Sequence, residues 1–291
     1  EKVGVSERHI AEPDQCASDL GLLAARKLFD SCLCKPSEVD FLLLCTQCPD
    51  YLLPSTACIL QDRLGLSKTS GALDFNLGCS GFVYGLGLAK GLIETGQAHN
   101  VLFITADTYS KYIHPHDRSV RTLFGDAAAA TLIQGVTGTE PDSAIGPMVY
   151  GTDGSGFKNL ILPVGGMRQR VPTNKTFTET EDEQGNQRSP DYLYMNGPEI
   201  FSFTLDTVPR AVKNLLVRSK LTMDQIDLFV FHQANQYILE HLRKKLNISE
   251  DKFCVAMRHC GNTVSASIPI ALKHAVQEGR LKTGQMVMLV G

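Results

Sequence analysis

The sequence predicts an α/β protein built from two duplicated halves, each a central sheet of parallel strands sandwiched by helices. Three observations carry that expectation. Apolar strand-like runs alternate with helix-length segments, the alternation occurs twice in the same order, and equivalent helices end on the same stop signal. In the first half a helical pattern at about 17–33 leads to a strand at 39–44, a helix at 55–64, a strand near 72–76, a helix at 79–94 and a strand at 101–104. In the second half a helix at about 198–219 leads to a strand at 226–231, a helix at 235–246, a short strand at 253–257, a helix at about 265–278 and a strand at 286–290. Val39-Asp-Phe-Leu-Leu parallels Ile226-Asp-Leu-Phe-Val, and Gly96 and Gly279 each follow the last turn of a helix, where a left-handed residue ends it. We expect an N-terminal half over residues 1–170 and a C-terminal half over 171–291, joined by a polar excursion at 172–191.

Length and composition bound the function. The chain has 291 residues, 43% hydrophobic and 20% charged, enough for two domains of roughly 150 residues. A formal net charge of -3 supplies no global basic field, so nucleic acid is not an expected partner. Nine cysteines without the short regular spacing of a secreted framework point to a reducing cytoplasm. No run of 18 apolar residues predicts a membrane span. Cys45-Thr-Gln-Cys48 is a lone pair, Cys32 and Cys34 lie upstream without matching spacing, and His114-Pro-His116-Asp117 reads as a turn, so no metal is expected. Both ends read as incomplete: the chain opens on Glu1, and Gly291 follows the apolar run 286–290 as though a further strand were cut away.

Cys79 is the first candidate for chemistry. It lies in Asp74-Phe-Asn-Leu-Gly-Cys-Ser-Gly81, between an apolar strand and a helix rich in small residues. Unpaired amides and the dipole at a helix N-terminus favour a thiolate there, which predicts a depressed pKa and a nucleophile. Alone, such a cysteine is by default a buried core residue. The duplication strengthens the case, because Asn262 follows the equivalent strand of the second half and His232 directly follows that half's first strand. Strand carboxyl ends are where such folds carry their sites. A thiol, an imidazole and an amide in one cleft suit thioester chemistry: attack by sulfur, then stabilisation of an oxygen that gains negative charge.

Ordered motifs extend this pattern over nearly the whole chain: Gly4-Val-Ser-Glu-Arg-His-Ile10, Cys79-Ser-Gly-Phe82, Asp117-Arg118, Phe124-Gly-Asp126, Met195-Asn-Gly197, His232-Gln-Ala-Asn235, Gly261-Asn-Thr263 and Gly279-Arg-Leu-Lys-Thr-Gly-Gln285. On these residues the chain resembles the β-ketoacyl-acyl carrier protein synthase III family of the thiolase fold. The resemblance implies a homodimer that needs no cofactor or metal, taking an acyl group from acyl-CoA onto Cys79 and condensing it with malonyl-acyl carrier protein. It assigns His232 and Asn262 to the thioester oxygen as decarboxylation generates an enolate. It also implies that Phe124, Leu160, Leu193 and Phe201 line the pocket, that Gly197 and Asn235 lie near the pantetheine arm, that Leu53 reaches the partner subunit's pocket and that Arg118 flanks the CoA adenine. By pattern alone the apolar members of this set are equally core residues, and Arg118 an exposed loop residue.

Arg243, Lys244 and Lys245 end a helix and are available to an acidic carrier protein, although such runs are by default a solvated helix face. Two positions depart from the family pattern: Lys2 and Tyr237 stand where well-known members carry arginines for CoA and for carrier docking. The family's last glycine-rich strand falls beyond Gly291. Two alternatives to condensation remain: an acyltransferase moving the Cys79 acyl group to an alcohol or amine, and a non-catalytic partner subunit.

Overall fold

The protein is described by a computed structural model covering residues 3–31, 33–136, 145–171, 180–183 and 185–291. Cys32 and Lys2 lie outside the described residues, as does 172–179 of the expected excursion. In chain order α1 (Ala17–Phe29), β1 (Phe41–Cys45), α2 (Thr56–Arg63), β2 (Gly71–Phe75), α3 (Gly81–Glu94), β3 (Asn100–Asp107), α4 (Arg118–Arg121) and β4 (Ala127–Gln134) form the first unit. Its strands run in the order β2-β1-β3-β4, with β2, β1 and β3 parallel and β4 antiparallel to β3.

Apolar alternation explains why helices cover both faces. Leu42 and Leu44 of β1 join Leu102, Ile104 and Ala106 of β3 in a core closed by Ala17, Leu22, Ala57 and Leu60 of α1 and α2. Leu43 and Cys45 face the other way, with Val101 and Phe103, onto Phe82 and Ala89 of α3. A strand that is apolar at every position is thus buried twice, once through each side-chain parity.

After the connecting strands β5 (Leu160–Ile161), β6 (Thr180–Glu181), β7 (Gln187–Arg188) and β8 (Tyr194–Met195), the second unit repeats the order with α5 (Gly197–Ser219), β9 (Leu228–Phe231), α6 (Gln236–Lys245), α7 (Ser267–Gln277) and β10 (Val287–Val290). Strand β10 is parallel to β9, and Phe253 bridges β9 in parallel at Phe229, so this bridge stands to β9 as β2 stands to β1. The expected strand at 253–257 shrinks to that bridge. Its ladder is interrupted because the Ala256 N–H is taken by the Gln233 side chain at 2.8 Å. Leu228 and Val230 share the α3 core with Ile268, Ala271 and Ala275 of α7, whereas Phe229 and Phe231 face Val212, Ile238, Leu239 and Leu242 of α5 and α6. The layers are therefore α1/α2, first sheet, α3/α7, second sheet, α5/α6.

The connection between the units is tied down at 180–183 and 185–188. Strands β6 and β7 pair as a hairpin, and Arg188 reaches Asp117 at 3.3 Å and Asp182 at 3.1 Å. Strand β5 pairs with β8, Leu160 opposite Met195, so this element crosses the expected boundary at 170/171.

Candidate active site

The segment bearing Cys79 sits on the carboxyl end of the first sheet because glycines let it approach closely. A Cβ on Gly81 would collide with Cys45 Sγ, and one on Gly78 would come within 2.7 Å of Gln47 Oε1. Helix α3 begins at Gly81, two residues later than expected, with Ser80 in an αR conformation before it. Cys79 is half-buried. Its thiol is pushed up to about 12, first by burial, then against a lowering backbone hydrogen bond, with the nearby Asp107 charge adding to the rise. The expected thiolate at rest is corrected: lost hydration outweighs the helix terminus, and the resting group is a neutral thiol.

The second unit brings its residues to the same place. Gly291, directly after β10, lies against the Cys79 backbone, so that a Cβ there would be 2.8 Å from the Cys79 carbonyl oxygen. The preceding Val290 carbonyl accepts the His232 N–H at 2.7 Å. His232 pairs through Nδ1 with Ser267 Oγ at 2.7 Å, while its Nε2 is buried without a hydrogen-bond partner among the described residues. Burial pulls its pKa down to about 4, against a smaller raising influence of the nearby Val264 backbone, so the ring is neutral at pH 7.

Asn262 is buried, and its Oδ1 accepts the Val264 N–H at 3.0 Å, which leaves the amide NH2 as its free donor group. The Asn262 backbone bridges Phe124 in parallel, anchored by Asn262 N–H to the Leu123 carbonyl at 2.9 Å and Gly125 N–H to the Asn262 carbonyl at 3.0 Å. Val264 itself has φ of 51°, a left-handed conformation that a β-branched residue adopts only under constraint. Its side chain packs toward Gly78 in the Cys79 segment. The three residues expected from sequence thus meet through Val264, Ser267 and Gly291.

The pocket candidates divide. Phe124 and Leu193 are buried in one cluster with Val264, and Leu160 packs against it. Phe124 also meets the Tyr109 ring at 5.0 Å between centroids. Phe201 lies elsewhere, on the core beneath α5 and α6, stacked with Tyr237 at 5.4 Å and edge-on to His241 at 5.5 Å. Gly197 opens α5 with free space beside it, and Asn235 caps α6 by accepting the Ile238 N–H at 2.8 Å. Arg118 is exposed at the start of α4, its N–H held by Asn186 Oδ1 at 3.1 Å. Leu53 is 79% exposed beside Tyr51 and Leu52, which are also exposed.

The basic run at the end of α6 is less free than its sequence implies. Arg243 is engaged with Glu240 at 2.7 Å and Glu250 at 3.1 Å, Lys244 bridges Glu240 at 3.1 Å, and Lys245 donates to the Leu205 carbonyl at 2.7 Å. Hydrogen bonding from Arg243 pulls Glu240 down to about 2. Lys244, 69% exposed, is the member that projects its charge to solvent. Among the described residues no cluster of three metal-binding side chains occurs, and no helix is long and apolar enough to cross a membrane.

Sequence reasoning missed Asp107, Gln47, Ser265 and Ser267. The expected third strand stopped at Ile104, so Asp107 fell outside it. A polar residue closing a longer apolar strand was the signal available.

A cysteine, a neutral histidine and an oriented amide, converging from two repeats of one α/β unit, define the class of thiolase-fold condensing enzymes. The chain belongs to the 3-oxoacyl-[acyl-carrier-protein] synthase III family. The family's model matches residues 73–154, and the model of its C-terminal part matches residues 216–291. A β-ketoacyl-[acyl-carrier-protein] synthase III from Caldanaerobacter subterraneus is 37% identical over 99% of this chain and 83% of its own length. A crystal structure of a 3-oxoacyl-(acyl-carrier-protein) synthase III superposes with a TM-score of 0.96 at 52% identity, covering 99% of this chain and 85% of that one. A 3-oxoacyl-(acyl-carrier protein) synthase from Burkholderia xenovorans gives 0.84 at 38% identity over 96% of this chain and 76% of its own.

Proposed function

We propose that the protein condenses an acyl-CoA primer with malonyl-acyl carrier protein to a β-ketoacyl thioester, with Cys79 as nucleophile and His232 and Asn262 as oxygen-binding donors. The observation that carries this reading is the buried, unpartnered Nε2 of His232 beside the Cys79 segment, in a chain of this family. Such an orphaned polar atom costs stability unless a ligand satisfies it.

In the loading half-reaction the Cys79 sulfur attacks the acyl-CoA carbonyl, the C–S bond to CoA breaks, and the thiol proton leaves with CoA. Because the resting group is a thiol, its proton passes to the departing CoA sulfur as the C–S bond breaks, so loading needs no net proton acceptor; His232, whose pKa is pulled down to about 4, is a weak base and serves as a donor instead. In the second half-reaction the malonyl carboxylate departs as CO2 and its electron pair becomes an enolate, whose oxygen the His232 Nε2–H tautomer and the Asn262 NH2 stabilise. The enolate carbon then bonds to the acyl carbonyl, the Cys79 C–S bond breaks with its electron pair on sulfur, and the thiolate takes one proton from solvent to return the thiol. No group beyond the CoA and carrier thioesters enters these steps. Leu160, Leu193 and Phe124 fit a role in holding the acyl chain, Gly197 and Asn235 the pantetheine arm, Arg118 the nucleotide and Lys244 the carrier, whereas Phe201, packed with Tyr237 and His241, falls outside the cluster that holds Phe124.

We also propose a homodimer working in a reducing cytoplasm. Among the described residues strand β2 is the open edge of its sheet, with Leu73 46% exposed, and Leu88, 43% exposed, lines an apolar groove with Phe75, Leu77, Tyr84 and Tyr150. An unpaired apolar edge favours strand pairing with a second copy. The eight cysteines among the described residues are all free thiols. The repeated strand order supports a division into two halves, with the β5–β8 pairing spanning the 170/171 position.

The test is intact mass after incubation with a panel of acyl-CoAs, followed by addition of malonyl-carrier protein. Acylation at Cys79 followed by condensed product supports the reading. Acylation without condensation favours transfer to an alcohol or amine, and no acylation from any donor favours a non-catalytic subunit.

A further inference from the structure

We propose that Asp107 is a positioning residue for condensation, holding the Asn262–Val264 turn in register with the Cys79 segment; this rests on the condensing reading above. Asp107 closes β3 at the carboxyl end of the sheet and is wholly buried. Among the described residues it makes no ion pair, so nothing cationic offsets its burial. A carboxylate kept under those conditions is expensive unless its oxygens are used.

Its two oxygens serve the two halves of the site. Oδ1 accepts the Gln47 N–H at 2.8 Å. Gln47 in turn donates through Nε2 to Asn76 Oδ1 at 3.1 Å, at the start of the Cys79 segment, and accepts the Tyr109 hydroxyl at 3.1 Å. Oδ2 accepts both the N–H, at 3.3 Å, and the hydroxyl of Ser265. Ser265 follows Val264, whose backbone is left-handed and whose N–H, donated to Asn262 Oδ1, orients the Asn262 amide. One carboxylate therefore links the nucleophile's support to the donor's support across the two units.

Asp107 also acts on Cys79 through charge. Burial holds its carboxyl up to about 7, and its negative charge adds to the upward push on the Cys79 thiol. The titratable groups facing it are Cys45 and Cys48 at the end of β1, Cys79 after β2, and Tyr109 and Tyr112 after β3; the turn from the second unit contributes only the Ser265 hydroxyl.

The test compares Asp107→Asn and Ser265→Ala with the wild type in three measurements: Cys79 loading, condensation by preloaded enzyme, and the pH profile of Cys79 alkylation by iodoacetamide. Misplacement by about 1 Å costs about 10²-fold, so condensation should fall by about that factor in Ser265→Ala while loading changes by less than about threefold; in Asp107→Asn, which also alters the support and charge beside Cys79, condensation should fall by more than loading. The alkylation profile should move to lower pH in Asp107→Asn and stay in place in Ser265→Ala. Loading and condensation falling in parallel, or condensation unchanged in Ser265→Ala, overturns the positioning role. Ser265→Ala carries the test if Asp107→Asn does not fold. Wild-type protein that neither loads nor condenses overturns the condensing reading instead, and the alkylation profile, which needs no substrate, still reports whether Asp107 acts on Cys79.

Discussion

His232 and Asn262 are oriented by neighbours rather than by their own backbones. Each presents one polar atom to the site because the other is spent: Nδ1 on Ser267, Oδ1 on Val264. Losing a donor of this kind typically costs about 10²- to 10³-fold, so His232→Ala and Asn262→Ala should each lower condensation by about that factor. Asn262→Ala should load Cys79 near the wild-type rate, a split read by intact mass against product formation. Stability carries a second signature, with opposite signs at two groups. For His232 the folded pKa, about 4, lies below the ordinary 6.5, so the unfolded chain binds more protons between them and stability is lost as pH falls through that window. For Asp107 the folded pKa, about 7, lies above 3.8, so stability is lost as pH rises from the lower value to the higher. His232→Ala removes only the first effect. Its melting temperature relative to wild type should therefore improve on going from about pH 6.5 to pH 4.5, measured by calorimetry.

Helices α3 and α7 end alike. Gly96 and Gly279 both have φ of 70°, and in each case the following residue's N–H reaches back into the last turn, Gln97 to Leu92 at 2.8 Å and Arg280 to Ala275 at 2.9 Å. Neither glycine has a neighbour where a Cβ would stand, so the cost of alanine is backbone strain alone. Gly96→Ala and Gly279→Ala should each destabilise by about 1 kcal/mol in urea unfolding, and additively in the double variant. The end of α6 makes a different point. Lys244 projects whereas Arg243 is locked between two glutamates. Lys244→Glu should raise the KM for malonyl-carrier protein severalfold and leave acyl-CoA loading alone; Arg243→Ala should chiefly lower the melting temperature.

For the whole molecule, the open β2 edge and the exposed tip at 51–53 are the surfaces a second copy would cover. Light scattering on a sizing column should give twice the chain mass. Leu73→Glu, which puts a charge on the exposed edge, should shift it toward the monomer and reduce condensation at micromolar protein.

Much of this was legible before any tertiary structure. The strands of β1, β3 and β9 announced themselves because residues buried on both faces leave uninterrupted apolar runs, and the duplication brought Cys79, Asn262 and His232 to equivalent sheet ends by order alone. Leu53 and Phe201 could not be separated from core residues in this way, since an apolar side chain looks the same in sequence whether it packs inward or projects. Asp107 was invisible for a related reason: a carboxylate is legible as buried only once the chain that surrounds it is in place. The alternation, the repeat and the identity of the candidate reacting groups can be read from the chain before it folds, because they depend on local periodicity and residue chemistry. Tertiary structure alone decided their ionisation and aim, turning Cys79 into a resting thiol and fixing His232 and Asn262 through Ser267 and Val264, because desolvation and hydrogen bonding are set by neighbours distant in the chain.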